Sequence, residues 1–433
     1  MAASQGPALL LLGGLAVAKH QRYLEAAADR GLAVLLIDAP GPYVDQTLAS
    51  WPAAEPAPTG CAQLAPGDLT AVVGQIAAWQ ERYAIRGVGC LREPWVETAS
   101  VVADLLALPG PGLRASRICR NKYLQRRLFA SISPACTLVG PEYRPELARA
   151  WLRFPVVVKP IAREGSSGVR SATDPVTLAD CLAGYDEREA LLFEEYVPGL
   201  EYSVESLTER GELRFIGITA KRTTEAHSDY FVELAHTTPA PDLPPGDRET
   251  LLRTHRDVLH ALRFDTGIAH AEYRVDAGGN VMLMEIAARP PGDAIMALHG
   301  LATGAYLEDA LVALLSGETV TYPPPTRFAR QVYLPQRPGL FAGIAVSPEL
   351  GVAADRYPGA AVSFARLQPG AATDRPAVRR IAELKPRGSS LGPMRESSDR
   401  AATVIMDAPT AAELDELEAR CLRAVRLRVV SRA

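Results

Sequence analysis

No C-x-x-C pair and no metal-spaced cysteine cluster occurs in this sequence; its six cysteines, at 61, 90, 119, 136, 181 and 421, are scattered through 433 residues. That scatter argues against a disulfide framework or a structural zinc, and it fits free thiols in a reducing compartment. Positive charge is not in excess either: the net charge of −4 leaves no electrostatic footprint for nucleic acid. No apolar run is long enough to span a bilayer. "ALLLLGGLAVA" at 8–18 resembles the apolar core of a signal peptide, but "MAASQGP" before it carries no lysine or arginine. The run therefore predicts a buried first strand followed by a turn. Internal repeats and low-complexity tracts are missing. So is G-x-G-x-x-G; Gly13 and Gly14 predict only a tight strand-to-helix turn. These absences predict a cytoplasmic globular protein with neither membrane nor nucleic-acid partners. Its length predicts two to four domains.

What is present changes texture along the chain. "ALLLLGG" (8–14), the helix-patterned "AKHQRYLEAAADRG" and "AVLLID" (33–38) form a β-α-β unit, whose apolar strands predict a parallel sheet. "WPAAEPAPTG" (51–60) is proline-rich and predicts a loop. "GDLTAVVGQIAAWQERYAIRGV" (67–88) predicts a helix leading into a short strand, "GVGCL". From about 115, "SRICRNKYLQRRLFASIS" predicts one basic helix and "PACTLVG" a connecting strand. "FPVVVKP" (154–160) and "ALLFEEYV" (190–197) predict strands on either side of the helical "DPVTLADCLAGYD". "EYSVESLTERGELRFIGITAK" predicts a hairpin turning at Glu209 to Glu212. "IAHAEYRVDAGGNVMLMEIAARP" (268–290) predicts another, turning at Gly278–Gly279. "YPPPTRF" marks a boundary. The last 110 or so residues alternate short strands and turns and end in the helix "TAAELDELEARCLRAVRL".

Three stretches carry chemistry. In "FPVVVKPIAREGSSGV" (154–169), Lys159 closes a strand and precedes Gly165, Ser166, Ser167 and Gly168. This is the reverse of a Walker P-loop, where the lysine follows the glycines. A lysine on a strand can reach phosphate oxygens while loop N–H groups close over them. The alternative is a strand-end lysine beside a solvated loop. In the second hairpin, a two-residue turn makes paired positions sum to 557, which sets Glu272 opposite Glu285. Such side chains approach within roughly 5 Å and repel, so something cationic should bind between them. Paired oxygen ligands suit Mg²⁺. Arg289 or Arg274 could equally neutralise them as an ion-pair cluster. Third, "FEEYVPGLEYSVE" places Glu194 and Val197 at a strand end with Glu201 past a Pro-Gly turn. Exposed backbone there could read an adenine edge and Glu201 a ribose hydroxyl pair; otherwise this is an acidic loop.

The order of lysine, small-residue loop, acidic hinge and paired glutamates resembles the ATP-grasp superfamily over roughly residues 115 to 317. The resemblance implies an ATP-grasp fold, α/β and α+β, with an N-terminal parallel-sheet α/β domain. It implies ATP held by Lys122 in "RNKYLQRR" and by Lys159 under the loop Gly165, Ser166 and Ser167. The hinge E-x-x-[hydrophobic]-x-G-x-E is matched by Glu194, Val197, Gly199 and Glu201, with Glu195 inside it. Glu272 and Glu285, thirteen residues apart, match the metal carboxylates for Mg²⁺, with Mn²⁺ as an alternative. Ala287 stands where many members carry an asparagine that also binds metal.

Within the superfamily the chain looks most like the L-amino acid ligases, through "YFVELAHTTPA" and Arg289. There Glu233 would bind a substrate ammonium, and His236 and Arg289 the acyl phosphate and tetrahedral intermediate. The resemblance implies small-molecule carboxylate and amine substrates and allows a homodimer. The expected domains are 1–114, an N-terminal α/β unit; 115–198, a central lid with linker; 199–317, a catalytic unit; and 318–433, a C-terminal α+β unit. The expected reaction is ATP-dependent amide formation through an acyl phosphate. A phosphotransferase, or a carboxylating enzyme of the biotin carboxylase kind, is the alternative.

Overall fold

A computed structural model describes residues 5–14, 21–49, 57–357 and 367–431. The N-terminal strands form a parallel sheet in the order Gly60–Gln63, Ala33–Asp38, Gly6–Leu12, Tyr83–Cys90. Ala8 through Leu12 are fully buried because both faces of this sheet are covered. Leu9 and Leu11 pack with the helices Arg22–Ala28 and Leu307–Leu315, whereas Ala8, Leu10 and Leu12 pack with Leu69–Gln80 and Val96–Leu105. An unbroken apolar run is what such a strand requires.

Two expectations about this unit need correction. The helix expected over 67–88 ends at Gln80, and Tyr83–Cys90 is strand throughout. Gly87 lets the helix Leu307–Leu315 pack closely on this strand, since a Cβ there would lie 2.5 Å from the Leu315 carbonyl oxygen. The proline-rich loop lies mostly outside the described residues. The strand Gly60–Gln63 at its end is too short and too poor in β-branched residues to be read from sequence.

The basic stretch after 113 is two helices, Leu113–Cys119 and Lys122–Leu128, rather than one. Asn121 breaks them, and its side-chain oxygen accepts from the Leu124 N–H at 3.1 Å. This is an N-cap, and it makes Lys122 the first residue of the second helix. Next comes a small antiparallel sheet in the order Cys136–Val139, Leu191–Glu195, Val156–Pro160, Arg170–Ala172. The helix Pro175–Leu182 packs on it through Leu178 and Cys181, over a core that includes Val156, Val158 and Phe193.

The largest sheet has nine strands, ordered Val281–Ala287, Gly267–Val275, Leu200–Glu209, Glu212–Thr223, Glu233–Thr238, Phe328–Tyr333, Ala402–Ala408, Ala377–Glu383, Ala354–Asp355. Past the "YPPPTRF" stretch the chain thus extends the same sheet, through Phe328–Tyr333 paired with Glu233–Thr238. The 209–212 hairpin turns where expected. The 278–279 hairpin does not have the expected two-residue turn. Asp276 N–H bonds to the Asn280 carbonyl, and the Asp276 carboxylate accepts from the N–H groups of Gly278 and Asn280. Val275 therefore pairs with Val281, one step off the expected register. A bulge opposite the Glu272–Tyr273 step restores it, so Glu272 pairs with Glu285 after all. The C-terminal helix Ala411–Ala424 is followed by one more strand, Val425–Val430. Among the described residues no helix is long and apolar enough to cross a membrane.

Candidate active site

An open cavity is lined by the small sheet, the hinge and one face of the large sheet. Its walls include the site residues singled out from the sequence except Ser167, Gly168, Gly199 and His236. Pro134, Val157, Val169, Val197 and Met284 supply apolar wall; the remainder is mostly charged.

The lysines are placed by buried hydrogen bonds. Gln125 ties the Lys122–Leu128 helix to Val281–Ala287: its side-chain amide donates to the Ile286 carbonyl at 3.0 Å and accepts from the Ile286 N–H at 2.9 Å. That brings Lys122 Nζ to 2.7 Å from Glu285 Oε1 and 2.9 Å from the Arg163 carbonyl oxygen. Lys159 Nζ lies 2.6 Å from Glu194, whose carboxylate also receives Arg126 at 2.8 and 3.2 Å. Burial first, and then the neighbouring Arg126 guanidinium, lower the Lys159 pKa to about 8. The Glu194 side chain is thus the anchor of Lys159, and the hinge offers its backbone and Glu201 to the cavity. Gly199 makes that hinge possible: its φ is +119°, and a Cβ there would sit 2.3 Å from the Val275 carbonyl oxygen.

Neither arginine considered as a neutraliser of the paired glutamates takes that part. Arg274 binds Glu225 and the Val197 carbonyl, the latter at 2.7 Å, and Arg289 donates to Glu93 at 2.6 Å. The strand expected to carry Arg289 ends at Ala287, yet Arg289 still lines the cavity. Glu285 instead meets Lys122. Glu272 meets Lys221 at 2.5 Å and His270 at 3.3 Å. Behind them, the fully buried Glu205 accepts from or pairs with His270 at 2.8 Å, His299 at 3.0 Å and Thr219 at 2.8 Å. Burial works against a charged His270, but Glu205 and Glu272 hold its pKa up at about 8.

Lys221 was missed from the sequence. Its Nζ lies 2.5 Å from Glu272, 3.3 Å from Glu201 and 3.6 Å from Glu233, at the junction of the metal, hinge and substrate positions. Burial disfavours its charge, but Glu272, Glu201 and Glu233 together raise its pKa well above the usual lysine value. Glu93 and Arg126 were missed as well, because each acts through a partner distant in sequence.

The donor set fits a hard divalent cation. Glu272 and Glu285 are carboxylates facing each other across a strand pair, both line the cavity, and both now hold a lysine where a cation would sit. No group of three His, Cys, Asp or Glu side chains forms a metal cage among the described residues. Mg²⁺ typically takes one or two carboxylates and completes its shell with phosphate oxygens and water, as this pair would require.

His236 is placed differently from expectation. A bulge in its strand brings it onto the same face as Glu233, but it is 1% exposed and its Nε2 lies 2.9 Å from Asp293 Oδ2. Asp293 is in turn bound by Arg400 at 2.7 Å, which stacks on Tyr333. Those side chains cover the imidazole and keep it out of the cavity wall.

Residues 152–297 match the ATP-grasp domain family, and the chain has the ATP-grasp fold. Along its whole length the fold is similar to the L-amino acid ligase from Bacillus licheniformis: the TM-score is 0.76 at 20% identity, covering 99% of this chain and 100% of that one. It is also similar to the biotin carboxylase domain of a 2-oxoglutarate carboxylase from Hydrogenobacter thermophilus, with TM-score 0.62, 14% identity and coverage of 99% and 92%. In sequence the chain is 32% identical over 147 residues to a D-alanine–D-alanine ligase of Hydrogenovibrio crunogenus, covering 31% of this chain and 45% of that one. It is 28% identical over 230 residues to the uncharacterized protein y4rH of Sinorhizobium fredii, covering 50% and 46%. The chain thus spans less than half the length of these two curated relatives.

Proposed function

We propose that the protein is an ATP-dependent carboxylate–amine ligase that activates the carboxylate of an amino acid and joins it to an amine, releasing ADP and phosphate. The observation that carries this reading is the convergence of phosphate-reaching lysines, the paired carboxylates Glu272 and Glu285, and the separate carboxylate Glu233 in one cavity. A phosphotransferase needs the first two; an ammonium-binding glutamate beside them suits an amino-acid substrate. The relative named D-alanine–D-alanine ligase and the fold likeness to an L-amino acid ligase support the same reading.

In this mechanism the substrate carboxylate attacks the γ-phosphate of ATP, giving an acyl phosphate and ADP. Lys122 and Lys159 neutralise charge on the phosphate oxygens as the bond to the leaving group breaks. Glu201 takes the ribose hydroxyls, and the hinge backbone around Val197 faces the adenine edge. Glu272 and Glu285 would hold Mg²⁺, which when bound withdraws charge from the phosphates. Arg289, kept charged by Glu93, steadies the transferred phosphoryl group and the later oxyanion. Glu233 accepts the ammonium of the activated amino acid and fixes its carboxylate for in-line attack. Water would hydrolyse the acyl phosphate, so the loop around Gly165 and Ser166 closes over the cavity before the amine attacks. His236, beneath Asp293 and Arg400, acts in this reading by holding Asp293 in place.

The test is an ADP-release screen over pairs of amino acids with mass spectrometry of the products. The reading expects ADP release that requires both partners, and an amide product. ADP release that needs bicarbonate, or a phosphorylated product with no amine requirement, would replace it with a carboxylating enzyme or a phosphotransferase.

A further inference from the structure

Ser397 and Arg400 bring the C-terminal unit to Glu233 at the cavity wall. Ser397 opens a short helical turn, Ser397–Asp399, and makes two contacts in opposite directions. Its hydroxyl donates to Glu233 Oε2 at 2.8 Å, and its N–H donates to the Gly165 carbonyl oxygen at 3.1 Å. The other Glu233 oxygen, Oε1, lies 3.6 Å from Lys221, close enough for the ammonium to capture the carboxylate outright if nothing held it back. Arg400, whose Nε donates to the Ser397 carbonyl at 2.8 Å and whose guanidinium binds Asp293, fixes the serine in place.

We infer that Ser397 is a positioning residue with two functions: its hydroxyl keeps Glu233 turned toward the cavity, and its N–H latches the loop at Gly165. The first rests on the amino-acid ligase reading above; the second does not. Through the two together, the C-terminal unit joins the orientation of the ammonium-binding Glu233 to closure of the loop. Among the described residues Ser397 makes the short hydrogen bond to this Glu233 oxygen; Arg400 is 3.7 Å from it, donates to the Glu233 carbonyl at 3.4 Å and binds Asp293.

Three variants separate the two contacts. Ser397→Ala removes the hydroxyl and keeps the N–H; Ser397→Thr restores a hydroxyl. Ser397→Pro removes both, at a first-turn position preceded by extended backbone at Glu396 (φ −150°, ψ 165°), which tolerates proline. Ser397→Ala should raise the KM of the activated amino acid about tenfold, the scale of a hydrogen bond to a charged group, with kcat and the ATP KM nearly unchanged. Ser397→Thr should recover most of it. In Ser397→Pro with ADP and Mg²⁺, hydrogen exchange at the Ser167 and Val169 amides should quicken, whereas Ser397→Ala should show a smaller change. An unaltered amino-acid KM in Ser397→Ala, or unaltered loop exchange in Ser397→Pro, overturns the corresponding half. If the parent enzyme shows no amino-acid-dependent ADP release, the ligase reading fails and the hydroxyl's part falls with it. Exchange then decides the latch alone.

Discussion

Raising the pH from 7 to 9 should weaken ATP binding about tenfold, through Lys159. Its Nζ is buried between Glu194 and Arg126, and burial with the Arg126 charge lowers its pKa from 10.5 to about 8. That depression corresponds to roughly 3 kcal/mol against the ammonium form. Only the ammonium form neutralises phosphate. At pH 7 about nine-tenths of the lysine is protonated and at pH 9 about one-tenth, so affinity should fall as pH rises through 8. By linkage, binding above pH 8 must take up a proton. Calorimetry of ATP or ADP binding at saturating Mg²⁺, in buffers of different ionisation enthalpy, measures both quantities. His270, held at about 8 by Glu205 and Glu272 against burial, titrates in the same window. Lys159→Arg is therefore the control, because an arginine stays charged and should flatten the profile whatever its absolute affinity. A flat profile in the parent protein, or an equal slope in Lys159→Arg, would refute the assignment.

Three further outcomes follow from the geometry. Glu272→Gln and Glu285→Gln should each abolish ADP release at saturating Mg²⁺ while leaving the thermal melt close to the parent's; turnover within threefold of the parent in either would remove the metal role. Glu233→Ala should raise the amino-acid KM at least tenfold and spare the ATP KM, since losing one partner of a desolvated charge pair costs about 2–5 kcal/mol. In the C-terminal unit the fully buried Asp407 holds Arg327 at 2.9 Å and Arg379 at 2.6 Å. Asp407→Asn should destabilise the fold by about 3–5 kcal/mol in urea titrations by leaving buried guanidinium charge uncompensated, and a change under 1 kcal/mol would count against that cluster.

The parts of the site that were legible in the sequence are those fixed by local rules. A run such as "ALLLL" is readable because strand periodicity and two-sided burial leave few other structures for it. The pairing of Glu272 with Glu285 came out right although the turn was wrong, because a bulge cancelled the error of a five-residue loop. Turn chemistry at Asp276, whose carboxylate takes two backbone N–H groups, was the overlooked signal. Lys221 was not legible by spacing. The 209–212 turn followed outward would pair it with Leu200; a bulge between Leu213 and Phe215 moves it opposite Glu201, which the turn alone does not report. His236 was placed by resemblance, and what removed it from the cavity is tertiary: Asp293 and Arg400 come from segments 57 and 164 residues away, which no local pattern reports. The loop at 163–169 is tied by Ser166 Oγ to the Phe231 carbonyl at 2.9 Å and by the Gly165 carbonyl to the Ser397 N–H, contacts with residues distant in sequence.

The central claim is that a substrate carboxylate, and not water or bicarbonate, receives the γ-phosphoryl group. Incubation of the protein with ATP, Mg²⁺, an amine and an amino acid carrying ¹⁸O in its carboxylate tests this directly. The account predicts one labelled oxygen in each inorganic phosphate released, matched by loss of one labelled oxygen from the amide product. Phosphate without label, or ADP formed without free phosphate, would contradict it.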